Sequence, residues 1–220
     1  MLGRGRHMPE TLFCFAMWIE ARPFLKRIDP SERSVVLVTG MGRRNAAVAL
    51  RQRLALNKPA RVISCGFAGG LAPELKHGDV LFEAKTGTPL SQLLENTGAR
   101  RARFHTVDKV ACTTAEKRKL YEATGAHAVD MESAGLAEVC ETESLEFAIV
   151  RAISDTAAED LPIDFNRFIK DDAAPDLNKV VLWFLPRPAL IPRLFFWYRR
   201  LHTAAVNLAE VLHAISRSPY

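Results

Sequence analysis

The chain has 220 residues, of which 48% are hydrophobic and 25% are charged, and its formal net charge is +5. These values are ordinary for a soluble globular protein, and the length suits one α/β domain with a sizeable core. No internal repeat, low-complexity segment or apolar run of about 20 residues is present, and the mild positive charge is compatible with an anionic substrate or membrane surface without requiring either.

Apolar runs alternate with helical patterns along the chain. Strands are predicted at residues 11–17, 35–39, 62–65, 79–84, 126–129 and 147–153, and helices at 43–56, 114–124, 132–142 and 201–215. Residues 85–103 are polar and show no clear period, and residues 1–10 are expected to form a disordered leader. Strands that alternate with helices predict βαβ units and a mostly parallel, twisted sheet flanked by helices.

The four cysteines are dispersed, at Cys14, Cys65, Cys112 and Cys140, and none belongs to a CxxC or Cys/His cluster. This distribution predicts buried thiols in a reducing compartment and gives no spacing for a metal site or a disulfide framework. No secretory signal is evident, so a cytoplasmic location is expected.

Carboxylates follow two of the buried strands. Asp130 and Glu132 lie where the strand at 126–129 stops, and Asp155 comes just after the strand at 147–153. Ligands of open α/β sheets bind outside the carboxyl ends of the strands, so these acids predict a site that grips hydroxyls and moves protons. A structural alternative stays open for each: Glu132 suits a helix start and Asp155 an N-cap.

Glycine-rich turns follow two other strands. Gly40-Met41-Gly42-Arg43 joins a strand to a helix, and residues 66–71 hold three glycines. Both can bring backbone N–H groups close to a ligand, although the first is not a dinucleotide fingerprint because Asn45 stands where the third glycine should be. Glu20, after the first strand, could deprotonate a water or be a surface glutamate at a helix start.

Four segments together resemble the purine and uridine nucleoside phosphorylase superfamily: GMGRRNAAVAL, CGFAGGLAPELKHGDV, AVDMESAGLAEVC and VRAISDTA. The resemblance spans roughly residues 11–168 and is closest to the nucleosidase branch typified by 5′-methylthioadenosine/S-adenosylhomocysteine nucleosidase. It implies a three-layer α/β fold with a mixed, mostly parallel sheet partly closed into a barrel. It also implies cleavage of an N-glycosidic bond without a metal or cofactor.

Carried over position by position, the resemblance assigns roles to individual residues. Asp155 resembles the acid that protonates the purine at N7, Glu132 the binder of the ribose hydroxyls with Met131 against the sugar, and Glu20 the base that holds the attacking water. Phe165 falls where the family places an aromatic over the pocket. The same motifs imply substrate contacts from Gly42, Phe67, Ala68, Gly69 and Ser154.

The chain also departs from the nucleosidase pattern. No aromatic residue in 107–114 matches the one that usually stacks on the base. Arg61 and Ser64, with Arg43, stand where phosphate-using members carry phosphate contacts, so a phosphorolytic enzyme is an alternative. The segment between Asp79 and Val107 is shorter and more basic than in nucleosidases, and the hydrophobic tail is foreign to them. Together these departures resemble the hopanoid-pathway branch, whose members are associated with removing adenine from adenosylhopane.

The tail interleaves aromatic and basic residues from Trp183 to Arg200. We expect a catalytic domain over residues 11–178 and a C-terminal extension over 179–220 packed on it. Aromatic and basic residues suit an anionic membrane surface, so peripheral attachment to the inner membrane is one interpretation, and burial against the sheet or a homodimer partner is the other. A non-catalytic lipid-binding module is a further alternative. A homodimer is expected, and no nucleic-acid partner is expected.

Overall fold

The computed structural model describes residues 10–29, 34–168 and 191–218, with backbone alone for residues 191–194. The strands are β1 (Thr11–Phe15), β2 (Ser34–Val38), β3 (Arg61–Gly70), β4 (Val80–Ala84), β5 (Arg100–Arg101), β6 (Phe104–Thr106), β7 (Ala128–Asp130) and β8 (Glu146–Asp155). The helices are α1 (Trp18–Leu25), α2 (Arg43–Leu54), α3 (Pro89–Glu95), α4 (Thr114–Thr124), α5 (Ser133–Thr142) and α6 (Ile191–Ser216), and a short 3₁₀ helix spans Phe165–Phe168.

One mixed sheet organises the molecule. Its strand order is β2-β1-β3-β8-β4-β5, with β7 attached to β3 and β6 attached to β7. The β1–β2, β1–β3, β3–β8, β4–β5 and β6–β7 pairs are parallel, whereas β3–β7 and β4–β8 are antiparallel. The predicted mixed, mostly parallel sheet is therefore confirmed. The expected partial closure into a barrel is not seen, because the pairings among the described strands branch at β3 and do not return to their start.

Helices cover both faces of the sheet and make three layers. On one face, Phe24 of α1 and Leu208 and Leu212 of α6 join the core of β1, β3 and β8. On the other face, Leu50 of α2 and Leu136 of α5 pack against the opposite sides of β1 and β3. Alternate strand residues such as Phe13 and Cys14 thus enter different cores, as the two-residue period of a strand requires.

Local signals account for several boundaries. Helix α4 begins after Thr113, whose hydroxyl oxygen accepts a hydrogen bond from the Glu116 N–H at 3.2 Å while the Glu116 carboxylate accepts one from the Thr113 N–H at 2.9 Å. It ends at Gly125, which adopts a left-handed conformation with φ of 60°. The predicted bounds of this helix are therefore matched.

Other boundaries differ from the sequence prediction. Strand β3 continues through the glycines to Gly70, where a turn was expected, because Gly69 and Gly70 pair with β7. Helix α6 begins at Ile191 rather than residue 201; Pro192 lies in its first turn, where a missing N–H costs nothing. Helix α3 and strands β5 and β6 were not predicted.

The ends of the chain are only partly described. Glu10, predicted to lie in the leader, forms an ion pair with Arg53 at 2.6 Å, whereas residues 1–9 and the tail residues 169–190 lie outside the described residues. All four cysteines are buried free thiols, as the sequence predicts. No helix in the described part of the chain is long and apolar enough to cross a membrane.

Candidate active site

A cavity of about 440 Å³ opens at the carboxyl ends of the central strands. The register brings these ends together, because Gly69 of β3 lies opposite Asp155 of β8 on one side and Val129 of β7 on the other. Eight of the predicted site residues line the cavity: Glu20, Phe67, Gly69, Met131, Glu132, Ser154, Asp155 and Phe165. Much of its remaining wall is apolar.

Glu20 is buried on the first turn of α1 and faces the cavity. Its carboxylate accepts hydrogen bonds from the backbone N–H of Met17 at 2.9 Å and of Phe67 at 3.0 Å. Burial raises the pKa of Glu20 to about 7, Glu132 adds to that rise, and Arg151 opposes it. A carboxylate that titrates near neutrality can accept a proton from water at working pH.

Glu132 lies between a backbone donor and a buried cation. Its Oε1 accepts a hydrogen bond from the Gly42 N–H at 3.0 Å, and its Oε2 lies 3.3 Å from Arg151 Nη2. Burial raises the pKa of Glu132, against the effect of Arg151. The glycine turn after β2 therefore fixes Glu132 rather than leaving it as an ordinary exposed helix start.

Arg151, in the middle of β8, contacts residues that line the site but does not itself line the cavity. The side chain is buried, with Nη2 at 3.3 Å from Asp130 Oδ2 and Nη1 donating to the Phe67 carbonyl at 3.3 Å. Burial alone would lower the pKa of Arg151, but Asp130, Glu132 and Glu20 together raise it above its usual value. One guanidinium thus faces three carboxylates, which leaves the site with an excess of negative charge.

Gly66 allows this arrangement to be compact. Its φ is +146°, and a Cβ there would lie 2.6 Å from Arg151 Nη1 and 2.7 Å from Glu20 Oε1. Any side chain would displace the cation or the carboxylate, so the glycine is required for the close approach.

Asp155 ends β8 on the other side of the cavity. Its Oδ1 accepts a hydrogen bond from the Ser154 hydroxyl at 2.5 Å, and its Oδ2 lies 2.7 Å from Lys117 Nζ. The Ser154 hydroxyl also lies 3.2 Å from the Ala68 carbonyl, where it can donate instead. Asp155 is therefore held by its neighbours while it remains in contact with the cavity.

The apolar wall comes from segments distant in sequence. Phe165 stacks on Trp197 of α6, with ring centroids 4.9 Å apart and an interplanar angle of 29°. Leu201 of α6, Phe168 and Ile19 extend the same wall. The apolar side chains suit a hydrocarbon group, and the carboxylates suit a polar sugar.

The candidate phosphate-binding residues do not line the cavity. Arg61 begins β3, where its Nε donates to Thr11 Oγ1 at 2.7 Å, and Gly69 at the cavity lies eight strand residues away, roughly 26 Å at the rise of a strand. Ser64 is buried and accepts a hydrogen bond from Arg151 Nη2 at 3.0 Å. Arg43 pairs with Glu138 on the protein surface.

The chemistry of the cavity is that of carboxylates. Among the described residues, no group of three or more His, Cys, Asp or Glu side chains could hold a metal ion. Three carboxylates from different elements, Glu20, Glu132 and Asp155, instead surround one space. They could stabilise a cationic sugar, activate a water and protonate a leaving group.

The family model of the Phosphorylase superfamily matches residues 24–82 and 90–186. The chain belongs to the Phosphorylase superfamily. Two curated relatives are 5′-methylthioadenosine/S-adenosylhomocysteine nucleosidases. That of Glaesserella parasuis serovar 5 is 28% identical over 68% of this chain and 79% of its own length. That of Bacillus cereus (strain B4264) is 26% identical over 72% of this chain and 83% of its own length.

Solved structures of the superfamily share the fold. Futalosine hydrolase of Helicobacter pylori superposes with a TM-score of 0.70 at 16% identity, over 96% of this chain and 98% of that one. The 5′-methylthioadenosine/S-adenosylhomocysteine nucleosidase of Campylobacter jejuni gives 0.68 at 18% identity, over 96% of this chain and all of its own. These structural similarities show the shared fold, and the curated relatives, which are named as nucleosidases and are therefore N-glycosyl hydrolases, support the nucleosidase branch.

Three residues at or beneath the site were not predicted from the sequence: Arg151, Lys117 and Trp197. Arg151 could have been found, because a lone cation inside an apolar strand run needs a buried partner. Lys117 is buried, but the residues around it on its helix are mostly polar, so nothing in the local sequence predicts this burial. Trp197 belongs to the tail, and only the packing of α6 brings it to the cavity.

Proposed function

We propose that this protein hydrolyses the N-glycosidic bond of an adenine nucleoside that carries an apolar 5′ substituent. The observation that carries the proposal is the convergence of Glu20, Glu132 and Asp155 on one cavity whose remaining lining is largely apolar. A phosphorylase-superfamily fold with curated nucleosidase relatives supports the same reaction class.

Each carboxylate takes one role in the proposed reaction. Glu132 accepts hydrogen bonds from the ribose 2′- and 3′-hydroxyls, which holds the sugar in a reactive pose. Glu20 orients water against C1′ and accepts its proton, and its negative charge stabilises the oxocarbenium-like sugar. Asp155 delivers a proton to N7, which makes adenine a competent leaving group.

The apolar wall is proposed to receive the 5′ substituent. A methylthio group, as in one of the substrates for which the relatives are named, would lie against Phe165, Trp197 and Leu201. A lipid-linked adenosine such as adenosylhopane is the finer proposal. Its hydrocarbon would extend out of a 440 Å³ cavity and along the outer surface of α6.

Exposed aromatic side chains lie on α6 and on the helix α1 that packs against it. Trp18 is 63% exposed at the start of α1, and Phe195, Phe196 and Tyr198 of α6 are 58%, 64% and 52% exposed; we call these four residues the aromatic patch. The exposed cations Arg22 and Lys26 border a groove beside Tyr198. We propose that the patch rests on an anionic bilayer and so gives a lipid-linked nucleoside access to the cavity.

Phosphorolysis is the second candidate reaction. It is disfavoured because Arg61, Ser64 and Arg43 do not line the cavity: Arg61 and Arg43 contact Thr11 and Glu138, and Ser64 is buried beneath the site against Arg151. A carboxylate at Glu20 would moreover repel a phosphate nucleophile.

Release of adenine tests the proposal. The protein is incubated with methylthioadenosine, adenosylhomocysteine and a lipid-linked adenosine, and free adenine is measured by chromatography. We expect adenine from at least one of them. If wild-type protein releases no adenine from any of the three while it is folded by circular dichroism, the proposed function is wrong and a non-catalytic lipid-binding module becomes the better account.

A further inference from the structure

Lys117 forms an ion pair with the proposed acid and has no place in the reaction described so far. Its side chain is fully buried on α4, and Nζ lies 2.7 Å from Asp155 Oδ2. Lysine is among the residues least often buried. The free energy of removing its ammonium group from water can exceed the free energy gained from one ion pair with a carboxylate. The pair therefore calls for an explanation beyond the stability of the fold.

The surroundings of Lys117 are matched to an ammonium group. Besides Asp155, Nζ donates to the carbonyl oxygens of Thr156 at 2.7 Å and of Glu159 at 2.8 Å. Three acceptors satisfy three N–H donors, whereas a neutral amine would offer only two. In the resting protein the transferable proton of the pair consequently lies on Lys117, and Asp155 is the carboxylate.

Neighbouring charges leave Asp155 as the ionic partner of Lys117. The Glu159 carboxylate contacts His77 Nε2 at 2.5 Å and Arg200 Nη1 at 3.0 Å. The Asp160 carboxylate accepts a hydrogen bond from the Thr114 N–H at 2.7 Å and is exposed.

An acid that is ionised at rest has no proton for a purine. This inference rests on the proposed function. We propose that Lys117 is a positioning residue that supplies the proton which Asp155 passes to the leaving purine, so that the Lys117–Asp155 pair, and not Asp155 alone, is the acid. A purine in the cavity excludes water from the pair. Because a less polar environment disfavours charged forms, the free-energy difference between the ionic pair and the neutral pair becomes smaller.

The step balances as follows in protons and electrons. An Nζ–H bond of Lys117 breaks as Asp155 Oδ2 gains the proton, and Asp155 gives a proton to N7. The C1′–N9 bond breaks, its electron pair goes to the purine, and water bonds to C1′ while Glu20 takes the water proton. Lys117 is then an amine and Glu20 a carboxylic acid, and exchange with solvent moves one proton from Glu20 back to Lys117.

Two substrates separate this role from a structural one. Methylthioadenosine needs a proton on its leaving group, whereas 4-nitrophenyl β-D-ribofuranoside releases a stable anion and needs none. Lys117→Gln keeps N–H donors for the carbonyls but has no transferable proton. We expect it to lower kcat on methylthioadenosine about 100-fold or more and kcat on the nitrophenyl riboside less than about threefold.

Further variants complete the design. Lys117→Arg keeps the charge but does not release its proton, so we expect it to be as slow as Lys117→Gln on methylthioadenosine. Lys119→Gln, an exposed residue on the same helix, is the matched control and should match wild type on both substrates. If Lys117→Gln fails to fold, the same comparison is made with Lys117→Arg.

Three outcomes would overturn the inference. Equal losses on both substrates would assign Lys117 to the structure alone. Full activity of Lys117→Arg on methylthioadenosine would show that charge suffices. Less than about a tenfold loss for Lys117→Gln would show that Asp155 finds its proton elsewhere. A wild-type protein that cleaves neither substrate would contradict the proposed function itself, which keeps the two failures distinguishable.

Discussion

Glu20 has a pKa that burial raises to about 7, well above that of an exposed glutamate. A base must be ionised to accept a proton, so its fraction in the active form falls as the pH falls through that pKa. We therefore expect kcat/KM on methylthioadenosine to fall about tenfold per pH unit below about pH 7. A pH series of initial rates measures this limb.

The assignment of that limb to Glu20 has its own control. The glutamine of Glu20→Gln cannot titrate. We therefore expect this variant to have a much lower kcat/KM that no longer falls between about pH 7 and pH 5. A kcat/KM that stays level in wild type between about pH 5 and pH 7 would be inconsistent with Glu20 as the base.

In the proposed reaction, departure of the purine depends on a proton from Asp155. Asp155→Asn is nearly isosteric and can still contact Ser154, but it cannot deliver a proton. We expect kcat on methylthioadenosine to fall by about 10²–10⁴-fold while KM changes little, measured by adenine release. Asp108→Asn, an exposed substitution, should behave as wild type. A loss of less than about tenfold in Asp155→Asn would remove Asp155 from this role.

Helix α6 forms much of the apolar wall, through Trp197 and its stack on Phe165. Trp197 is partly buried, so we take the lower end of the range for a buried aromatic side chain, about 1.5 kcal/mol or roughly tenfold in affinity. Trp197→Ala should therefore raise KM for methylthioadenosine by at least about tenfold and leave KM for unsubstituted adenosine nearly unchanged. Phe196→Ala, at an exposed neighbouring position, is the control. Equal effects on both nucleosides would mean that the wall does not hold the 5′ group.

Elements with local signals could be predicted from the sequence, and those that depend on packing could not. Helix α4 carries its own caps, at Thr113 and Gly125, and its bounds were predicted correctly. Strand β5 is two residues long and has no local pattern. Arg101 there contacts Glu95 at 2.7 Å and lies over the Phe82 ring at 4.9 Å, and both contacts exist only in the folded chain.

The residues of the candidate site likewise include some that the sequence predicts and others that only the fold reveals. Acids at strand ends predicted a shared cavity, because ligands of α/β sheets bind at strand ends. The antiparallel direction of β7 was not predicted, and it is the pairing of Gly69 with both Val129 and Asp155 that brings the acids together. The cations that neutralise those acids were missed: Arg151 enters from the middle of β8 and Lys117 from a helix distant in sequence. Family motifs located Asp155 and Glu132, whereas tertiary packing alone reveals their partners.

In the described part of the molecule, the aromatic patch comes from α1 and α6, the helices whose Ile19, Trp197 and Leu201 line the cavity. We expect the protein to co-sediment with phosphatidylglycerol vesicles at low salt and to be released as salt screens the Arg22 and Lys26 charges. Phe195→Ser combined with Phe196→Ser should weaken binding by at least about tenfold, since each ring contributes apolar area. Leu56→Ser, an exposed apolar position at the end of α2, should not.

The homodimer expected from the sequence is the competing occupant of the aromatic patch. Analytical ultracentrifugation distinguishes it. The bilayer proposal would be contradicted by two results together: the double substitution dissociates a dimer, and wild type does not bind vesicles at low salt. The aromatic patch would then be assigned to contact with a second copy of the chain.

The fate of the sugar tests the central claim, cleavage of the N-glycosidic bond by water, most directly. Methylthioadenosine is incubated with wild-type protein in buffers with and without phosphate, and the sugar product is identified by mass spectrometry and phosphorus NMR. We predict free methylthioribose and adenine in both buffers, at rates that do not depend on phosphate. Accumulation of methylthioribose-1-phosphate, with a rate that rises with phosphate concentration, would contradict hydrolysis and make the protein a phosphorylase.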